Sequence, residues 1–445
     1  MVVQARHPCP LTTIPALIRE ERTTLPETDP SRRAVVTGLG AVMPIGNDFP
    51  TYWSNLVAGV TGTRLIQSFD ASAFEVRIAA EVLDFDPTAH MDAKMARRMT
   101  RFIHLGMAAG KEAVAHSGID FAAMTEDQRD RVGVVMNTGG GGIEAIIDGT
   151  HVHDAKGPRF VSAFAVPALS GSMGAALLSM EWGLTGPVMT QVAACATSVI
   201  AFHDALRLIR TGECDVVLTG GSEAPIVPMG VAALANMGAL SKRNDSPETA
   251  SRPFAGDRDG FVLGEGAGVV VIESLAHALE RGATPIAEVI GGALTADAFH
   301  ISAPEPTGRG QSRAMTNALR HAGVAPDEID YIVAHGTSTA LNDLTETRAI
   351  KVAYGAHAKK VAISSPKSMI GHLVGAAGIA SALAGIGAIR DQVIPPTANL
   401  DTPDPECDLD YVPLTARKAK VDTVAVHGFG FGGQNAVTIF RAVET

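Results

Sequence analysis

Four side chains in this sequence have types and settings that suit them to act together: Cys195, His335, Lys367 and His372. Cys195 lies in Gln191-Val-Ala-Ala-Cys-Ala-Thr-Ser198, between an expected strand and an expected helix. A thiol at a helix N-terminus gains thiolate character from unpaired backbone N–H groups and the positive dipole end. Its alanine neighbours leave room for a substrate. A lone cysteine is more often buried and inert, and Cys9, Cys214 and Cys407 are read that way. His335 follows a strand in Ala334-His-Gly-Thr-Ser-Thr339, and His372 ends Pro366-Lys-Ser-Met-Ile-Gly-His372 at the start of a long helix. A neutral imidazole there can donate to a developing enolate or take part in proton transfer. Lys367, five residues before His372, supplies positive charge near the same point. Any one of these alone would be read as structural; four at strand-to-helix turns point to nucleophilic catalysis.

The elements that must position them alternate. Apolar strand patterns cover 34–38, 131–136, 187–193, 215–219 and 266–272, and then 286–290, 331–334, 361–364, 423–427 and 436–440. Helical patterns lie between them, at 100–117, 196–211, 310–322, 343–354 and 371–390. This alternation predicts α/β layers. The two halves share a plan, with a boundary near residue 284: a half from 34 to 284 carrying the cysteine, and one from 285 to 445 carrying the His/Lys/His set. The turn at Cys195 is matched with the turn at Lys367, and the segment Asp215–Glu223 with Asp330–Ser338. Residues 1–33 read as a polar extension, poorly ordered, with a helical stretch between Leu11 and Arg22.

The Ala-Cys turn, the His-Gly-Thr-Ser-Thr loop, the Pro-Lys-Ser-Met-Ile-Gly-His segment and Gly428-Phe-Gly-Phe-Gly-Gly433 together resemble the condensing-enzyme family, the β-ketoacyl-acyl-carrier-protein synthases, and within it the synthase II branch. Ser251-Arg-Pro-Phe254, Asp257-Arg-Asp-Gly-Phe261 and Gly264-Glu-Gly266 add to the match, which runs from about Arg33 to the C-terminus. The resemblance implies a duplicated five-layer αβαβα thiolase-like fold, a homodimer, and chain extension by decarboxylative Claisen condensation with malonyl-loaded carrier. It makes Cys195 the nucleophile and gives His335 and His372 the enolate. Lys367 would organise the site with Glu346 in support, and the backbone N–H groups of Cys195 and Phe431 would form an oxyanion hole, Phe431 also gating entry. Thr337 and Thr339 would bind the phosphopantetheine arm, which the acyl carrier protein brings, so that neither cofactor nor metal is expected. Lys94, Arg97 and Arg98, with Arg101 on one helix face, would dock the acidic carrier.

The sequence also departs from the family. Val333, Ser381 and His427-Gly428 stand where members often place Asn, Glu and Asn-Ser, so no monovalent cation is expected there. Gly140 in Gly139-Gly-Gly-Gly142 replaces a bulky aliphatic residue that commonly lines the acyl pocket across the dimer, which would widen the channel. Gln434 stands where Thr is common.

Composition limits the other readings. The 445 residues are 46% hydrophobic and 19% charged, enough apolar material for a large core. A net charge of −11 disfavours non-specific nucleic-acid binding. Four scattered cysteines without a CxxC pair suit a reducing, cytoplasmic compartment, and no uninterrupted apolar run reaches membrane-spanning length. Val36-Thr-Gly-Leu-Gly-Ala-Val-Met43 follows a strand as a dinucleotide-binding fingerprint would, but its third glycine falls at Met43 and Pro44 interrupts the helix start. A thiolase needs a second cysteine near the C-terminus, and Gly428–Gly433 has none. A non-catalytic chain-length subunit would lack Cys195. A polyketide ketosynthase using the same chemistry stays open beside fatty acid elongation.

Overall fold

A computed structural model of the chain describes residues 29–444. The helical stretch expected between Leu11 and Arg22 lies outside them. The last residues of the expected extension belong to the fold: Arg32 reaches Asp215 at 2.6 Å and the Ile209 carbonyl at 2.8 Å, and Arg33 reaches Glu288 at 2.7 Å.

Ten strands form the main sheet. The first half supplies β1 (Ala34–Val42), β2 (Val132–Asn137), β3 (Val188–Met189), β4 (Val216–Glu223) and β5 (Gly266–Ser274). The second supplies β6 (Ala287–Ala296), β7 (Tyr331–Val333), β8 (Ala362–Ser364), β9 (Thr423–Gly430) and β10 (Gln434–Arg441). Their spatial order is β8-β7-β9-β10-β6-β1-β5-β4-β2-β3. Counted from its own first strand, each half therefore runs third, second, fourth, fifth, first. The senses agree as well, with parallel pairs among the third, second and fourth strands and antiparallel pairs onward. The halves join where β1 pairs antiparallel with β6 from Ala34↔Val289 to Val36↔Ala287.

This repeat corrects two of the matches expected from sequence. As the fourth strand of its half, β4 corresponds to β9 and not to β7, whose counterpart is β2. The turn at Cys195 corresponds to Val374-Gly375 rather than to Lys367. In each case a residue with positive φ, Ala194 at 46° and Val374 at 46°, opens a 3-10 turn that leads into a long helix.

Five long helices build the outer and middle layers: α1 (Arg101–Ser117), α2 (Thr197–Arg210), α3 (Arg309–Ala322), α4 (Ala340–Tyr354) and α5 (Ala377–Asp391). α1 covers β1 and β5 on one outer face, while α3 packs on β6 and β10 and against α4 on the other. α2 and α5 touch each other between the two half-sheets, in a core that draws apolar residues from both halves. The result is the duplicated αβαβα stack expected from the sequence. Residues 374–391, α5 with its leading turn, have the length and the mean hydropathy of 1.2 that a membrane span needs, but 83% of that stretch is buried inside the protein.

The glycines of the would-be dinucleotide motif lie inside β1. A Cβ on Gly38 would sit 2.2 Å from the Ala113 carbonyl oxygen, and one on Gly40 2.0 Å from that of Ala109. They let α1 pack directly on the strand, so the pattern serves helix-to-sheet contact and not a phosphate. The strand expected over 187–193 shortens to Val188–Met189 because side chains take over its bonding. Gln191 N donates to Asn137 Oδ1 at 2.8 Å, and Ala193 N donates to Thr197 Oγ1 at 2.8 Å.

Candidate active site

Cys195 occupies the 3-10 turn Ala194–Ala196 immediately before α2, at 7% exposure. The positive φ of Ala194 is a conformation that L-residues rarely adopt, and here it turns the cysteine toward a cavity of about 500 Å3. His335, His372, Phe431, Thr337 and Thr339 line the same cavity. His372 Nε2 lies 3.0 Å from Cys195 Sγ. The sulfur and one ring nitrogen of each histidine fall within 4.8 Å of one another, and the two imidazoles meet edge to face at 5.4 Å between centroids. A cysteine from the first half and two histidines from the second therefore share one chamber.

Hydrogen bonds fix the tautomer of His372. Val374 N donates to Nδ1 at 3.2 Å, so in the neutral ring the proton sits on Nε2, which donates toward the sulfur or toward a substrate oxygen in its place. Burial, reinforced by the Lys367 ammonium, holds both His335 and His372 well below the ordinary imidazole value, so both rings are neutral at physiological pH.

The thiol departs from the expectation that a helix end alone makes a thiolate. Burial pushes Cys195 up to about 11, against the lowering effects of Lys367 and of the backbone N–H groups of Phe431 and of Cys195 itself. With His372 Nε2–H, those two N–H groups present donors to the sulfur. The resting group is a thiol in a site prepared for negative charge.

Lys367 is 2% exposed on the short helix Lys367–Ile370, behind the cavity wall. Burial lowers it to about 8, while Glu346 and Cys195 pull the other way. The expected partnership of Lys367 with Glu346 takes another form. Among the described residues no ion pair joins them. Glu346 instead accepts from His335 N and Gly336 N, each at 2.8 Å, and from His427 Nδ1 at 3.1 Å. It clamps the loop that displays His335. Asp343, one turn earlier on α4, accepts from Thr337 N at 3.0 Å, and the hydroxyls of Thr337 and Thr339 face each other at 2.9 Å.

Sulfur and two imidazole nitrogens at this spacing also match the donor set of a soft-metal site. The Lys367 ammonium beside them opposes a second cation in the same place.

The basic cluster is not one helix face. The helix Ala93–Ala96 ends at its C-cap Arg97, and α1 starts afresh after Thr100. Lys94 and Arg97 are exposed. Arg98 places its guanidinium 4.0 Å above the Phe164 ring, and Arg101 turns inward to Glu265 at 2.7 Å. Gly140 lies off the lining of the cavity, its N–H held by Glu223 at 2.9 Å. Ser381 is wholly buried with its hydroxyl unpartnered, and Val333 is buried in β7.

Sequence reading overlooked Glu223. This buried carboxylate at the end of β4 accepts from Gly139 N at 2.6 Å, Gly140 N at 2.9 Å and Gly375 N at 2.9 Å. It ties the four-glycine loop to the turn after His372. The one available signal was an acid closing a strand with no other charged residue.

Comparison with known proteins agrees with this geometry. Residues 31–278 match the family model of the β-ketoacyl synthase N-terminal domain, and residues 286–401 match that of the C-terminal domain. The chain belongs to the β-ketoacyl synthase family. It is 46% identical over 413 residues to 3-oxoacyl-(acyl-carrier-protein) synthase 2 of Synechocystis sp., covering 93% of this chain and 99% of that one. The synthase of the same description from Coxiella burnetii is 44% identical over 412 residues, with the same coverage. Among solved structures, a type II polyketide ketosynthase in complex with its acyl-carrier protein superposes with a TM-score of 0.85 at 31% identity, over 93% of this chain and all of that one.

Proposed function

We propose that this β-ketoacyl synthase extends acyl chains by two carbons in fatty acid elongation, taking both the acyl and the malonyl group from acyl carrier protein. The observation that carries the reading is the approach of Cys195 Sγ to His372 Nε2 at 3.0 Å, in a cavity that also holds His335 and the N–H groups of Cys195 and Phe431.

The chemistry follows in two stages. Cys195 attacks the carrier thioester, the two N–H groups hold the tetrahedral oxyanion, and the carrier leaves as its thiol with the proton from Cys195. Malonyl-carrier then enters. Its bond between C2 and the carboxylate carbon breaks, carbon dioxide leaves, and the electron pair moves onto the thioester oxygen. Neutral His335 and His372 donate to that enolate, and Lys367 adds positive potential from behind the wall. Neither imidazole is an acid strong enough to quench the carbanion early. C2 then attacks the acyl-cysteine carbonyl, the bond to sulfur breaks with its electron pair on sulfur, the thiolate takes a proton from solvent to restore the thiol, and β-ketoacyl-carrier departs. Thr337 and Thr339 suit the amides and hydroxyl of the pantetheine arm. All the groups these steps need come from the chain and from the arm its substrate carries.

The surface at the far end of the sheet supports a homodimer. β3 is the terminal strand, with Val188 42% exposed, and Val192 just beyond its end is 62% exposed. A bare, apolar edge strand is a template for pairing with a second copy across a two-fold axis. Gly140 would meet the acyl chain across that axis. Lys94 and Arg97, exposed and without an ion pair among the described residues, offer cations that suit an acidic carrier. The cytoplasm is the compartment that keeps the buried thiols Cys195, Cys214 and Cys407 reduced.

Incubation with acyl-carriers of graded length, followed by mass spectrometry, tests the reading. The expected result is one acyl group per chain, on Cys195, and carbon dioxide release on adding malonyl-carrier. A Cys195→Ser variant that still becomes acylated would sink it. The polyketide alternative, favoured by the superposition on a type II ketosynthase, predicts that linear saturated acyl-carriers load poorly and poly-β-keto ones load well.

A further inference from the structure

We propose that His427 is a positioning residue for enolate formation, acting through Glu346 on the loop that carries His335; the proposal rests on the condensing reading above.

Glu346 and His427 are both wholly buried, at 0% side-chain exposure. A carboxylate removed from water in this way must have its lone pairs satisfied by fixed donors. Oε1 accepts from His335 N at 2.8 Å and from His427 Nδ1 at 3.1 Å; Oε2 accepts from Gly336 N at 2.8 Å and from Asn342 Nδ2 at 3.4 Å. The oxygen that fixes the backbone of His335 is therefore the one that His427 holds. Among the described residues His427 is also the one basic side chain within ion-pair distance of Glu346.

Among the described residues the His427 ring has no other polar anchor. Its Nε2 is buried without a partner, as is Nδ1 of His335. Between the two rings lies Phe429, with centroids 5.5 Å from His427 and 5.7 Å from His335. His427 thus reaches His335 by two routes, a polar one through Glu346 and a packing one through Phe429.

The groups needed to load Cys195 are held by contacts that bypass the His427 ring, since β9 meets the Cys195 turn through the glycine backbone at Gly428 and Gly430. The oxyanion donors belong to the Cys195 turn and the Phe431 loop, and the His372 tautomer is set by Val374 N. Loss of the His427 contact should therefore weaken malonyl decarboxylation, which needs His335, and spare acyl transfer to sulfur.

The experiment measures both half-reactions on the full chain: the rate of Cys195 acylation by mass spectrometry, and carbon dioxide release from malonyl-carrier by the acylated enzyme. His427→Leu is expected to keep acylation within about twofold and to slow release about tenfold or more, a fraction of the effect of deleting an oxyanion donor outright. His427→Asn, which restores a short amide donor, should recover release to within about threefold. His427→Gln, polar enough to fold if leucine is not tolerated, should give an intermediate loss in release alone. Equal slowing of both half-reactions in these variants, or release unchanged by leucine, overturns the proposal. A parent enzyme that never acylates Cys195 overturns the condensing reading instead.

Discussion

At the scale of single residues the site works by withholding charge. Both imidazoles are neutral, the thiol is protonated, and the fixed cation Lys367 is itself held down to about 8 by burial. The sign of the resulting pH dependence is defined. As pH rises through about 8, Lys367 loses its proton, the positive potential behind the enolate disappears, and carbon dioxide release falls. A pH–rate profile of that half-reaction should bend downward near pH 8, and Lys367→Arg should move the bend beyond pH 9, because a guanidinium keeps its proton. A flat profile to pH 9 in the parent would remove Lys367 from the reaction. Cys195, His335, His372 and Lys367 were legible as residues because their types are rare in strand-to-helix turns and they occur as a set. Their electrostatics were not legible, since burial reverses what a helix end does to a thiol.

At the scale of elements, the five helices of the layers and most strands were readable from periodicity; the 14-residue helix Ile143–Lys156, which buries no residue, was not read. The strand expected over 187–193 is cut short where Asn137 and Thr197 side chains replace ladder bonds, a choice no apolar pattern encodes. The one-face reading of Lys94 to Arg101 assumed a continuous helix, whereas the chain breaks between Arg97 and Thr100 so that Arg101 can reach Glu265. Glycines beside Ala and Ser indicated close packing in the sequence, but not which helices they bring together. Gly378 on α5 shows their use, since a Cβ there would lie 2.6 Å from both N and Cγ2 of Val199 on α2. Gly378→Ala should destabilise the protein by about 1–3 kcal/mol through overpacking, read as a lower denaturation midpoint. An unchanged midpoint would mean that α2 and α5 are free to part.

At the scale of the whole molecule, the apolar edge at β3 predicts that Val188→Lys yields monomers in sedimentation experiments, while a dimer that survives would place the interface elsewhere. The seams between segments distant in sequence predict an acid response. Burial would raise Glu273, yet Arg281, His277 and Thr37 bring it to about 2; Arg131 and Arg32 bring Asp215 to about 2 against burial. Both folded values lie below the ordinary 4.5 and 3.8. Their stabilisation is thus complete above about pH 4.5 and is lost as pH falls toward 2. Glu273→Gln should flatten the decline in stability between pH 5 and pH 3, measured by urea titration. Equal decline in parent and variant would assign the acid sensitivity to other groups.

The matched knuckles at Ala194 and Val374 carry a last implication. The repeat gives this architecture two equivalent turns, one ahead of each middle helix, and their occupants differ. Beyond Ala194 comes a sulfur; beyond Val374 comes Gly375, where even a methyl group would collide with a Glu223 oxygen at 2.4 Å. That second turn is plugged by a carboxylate that braces its surroundings. On the proposed reading, a protein symmetrical in plan thereby carries one acyl group per chain, and its second half supplies the groups that meet the carbanion.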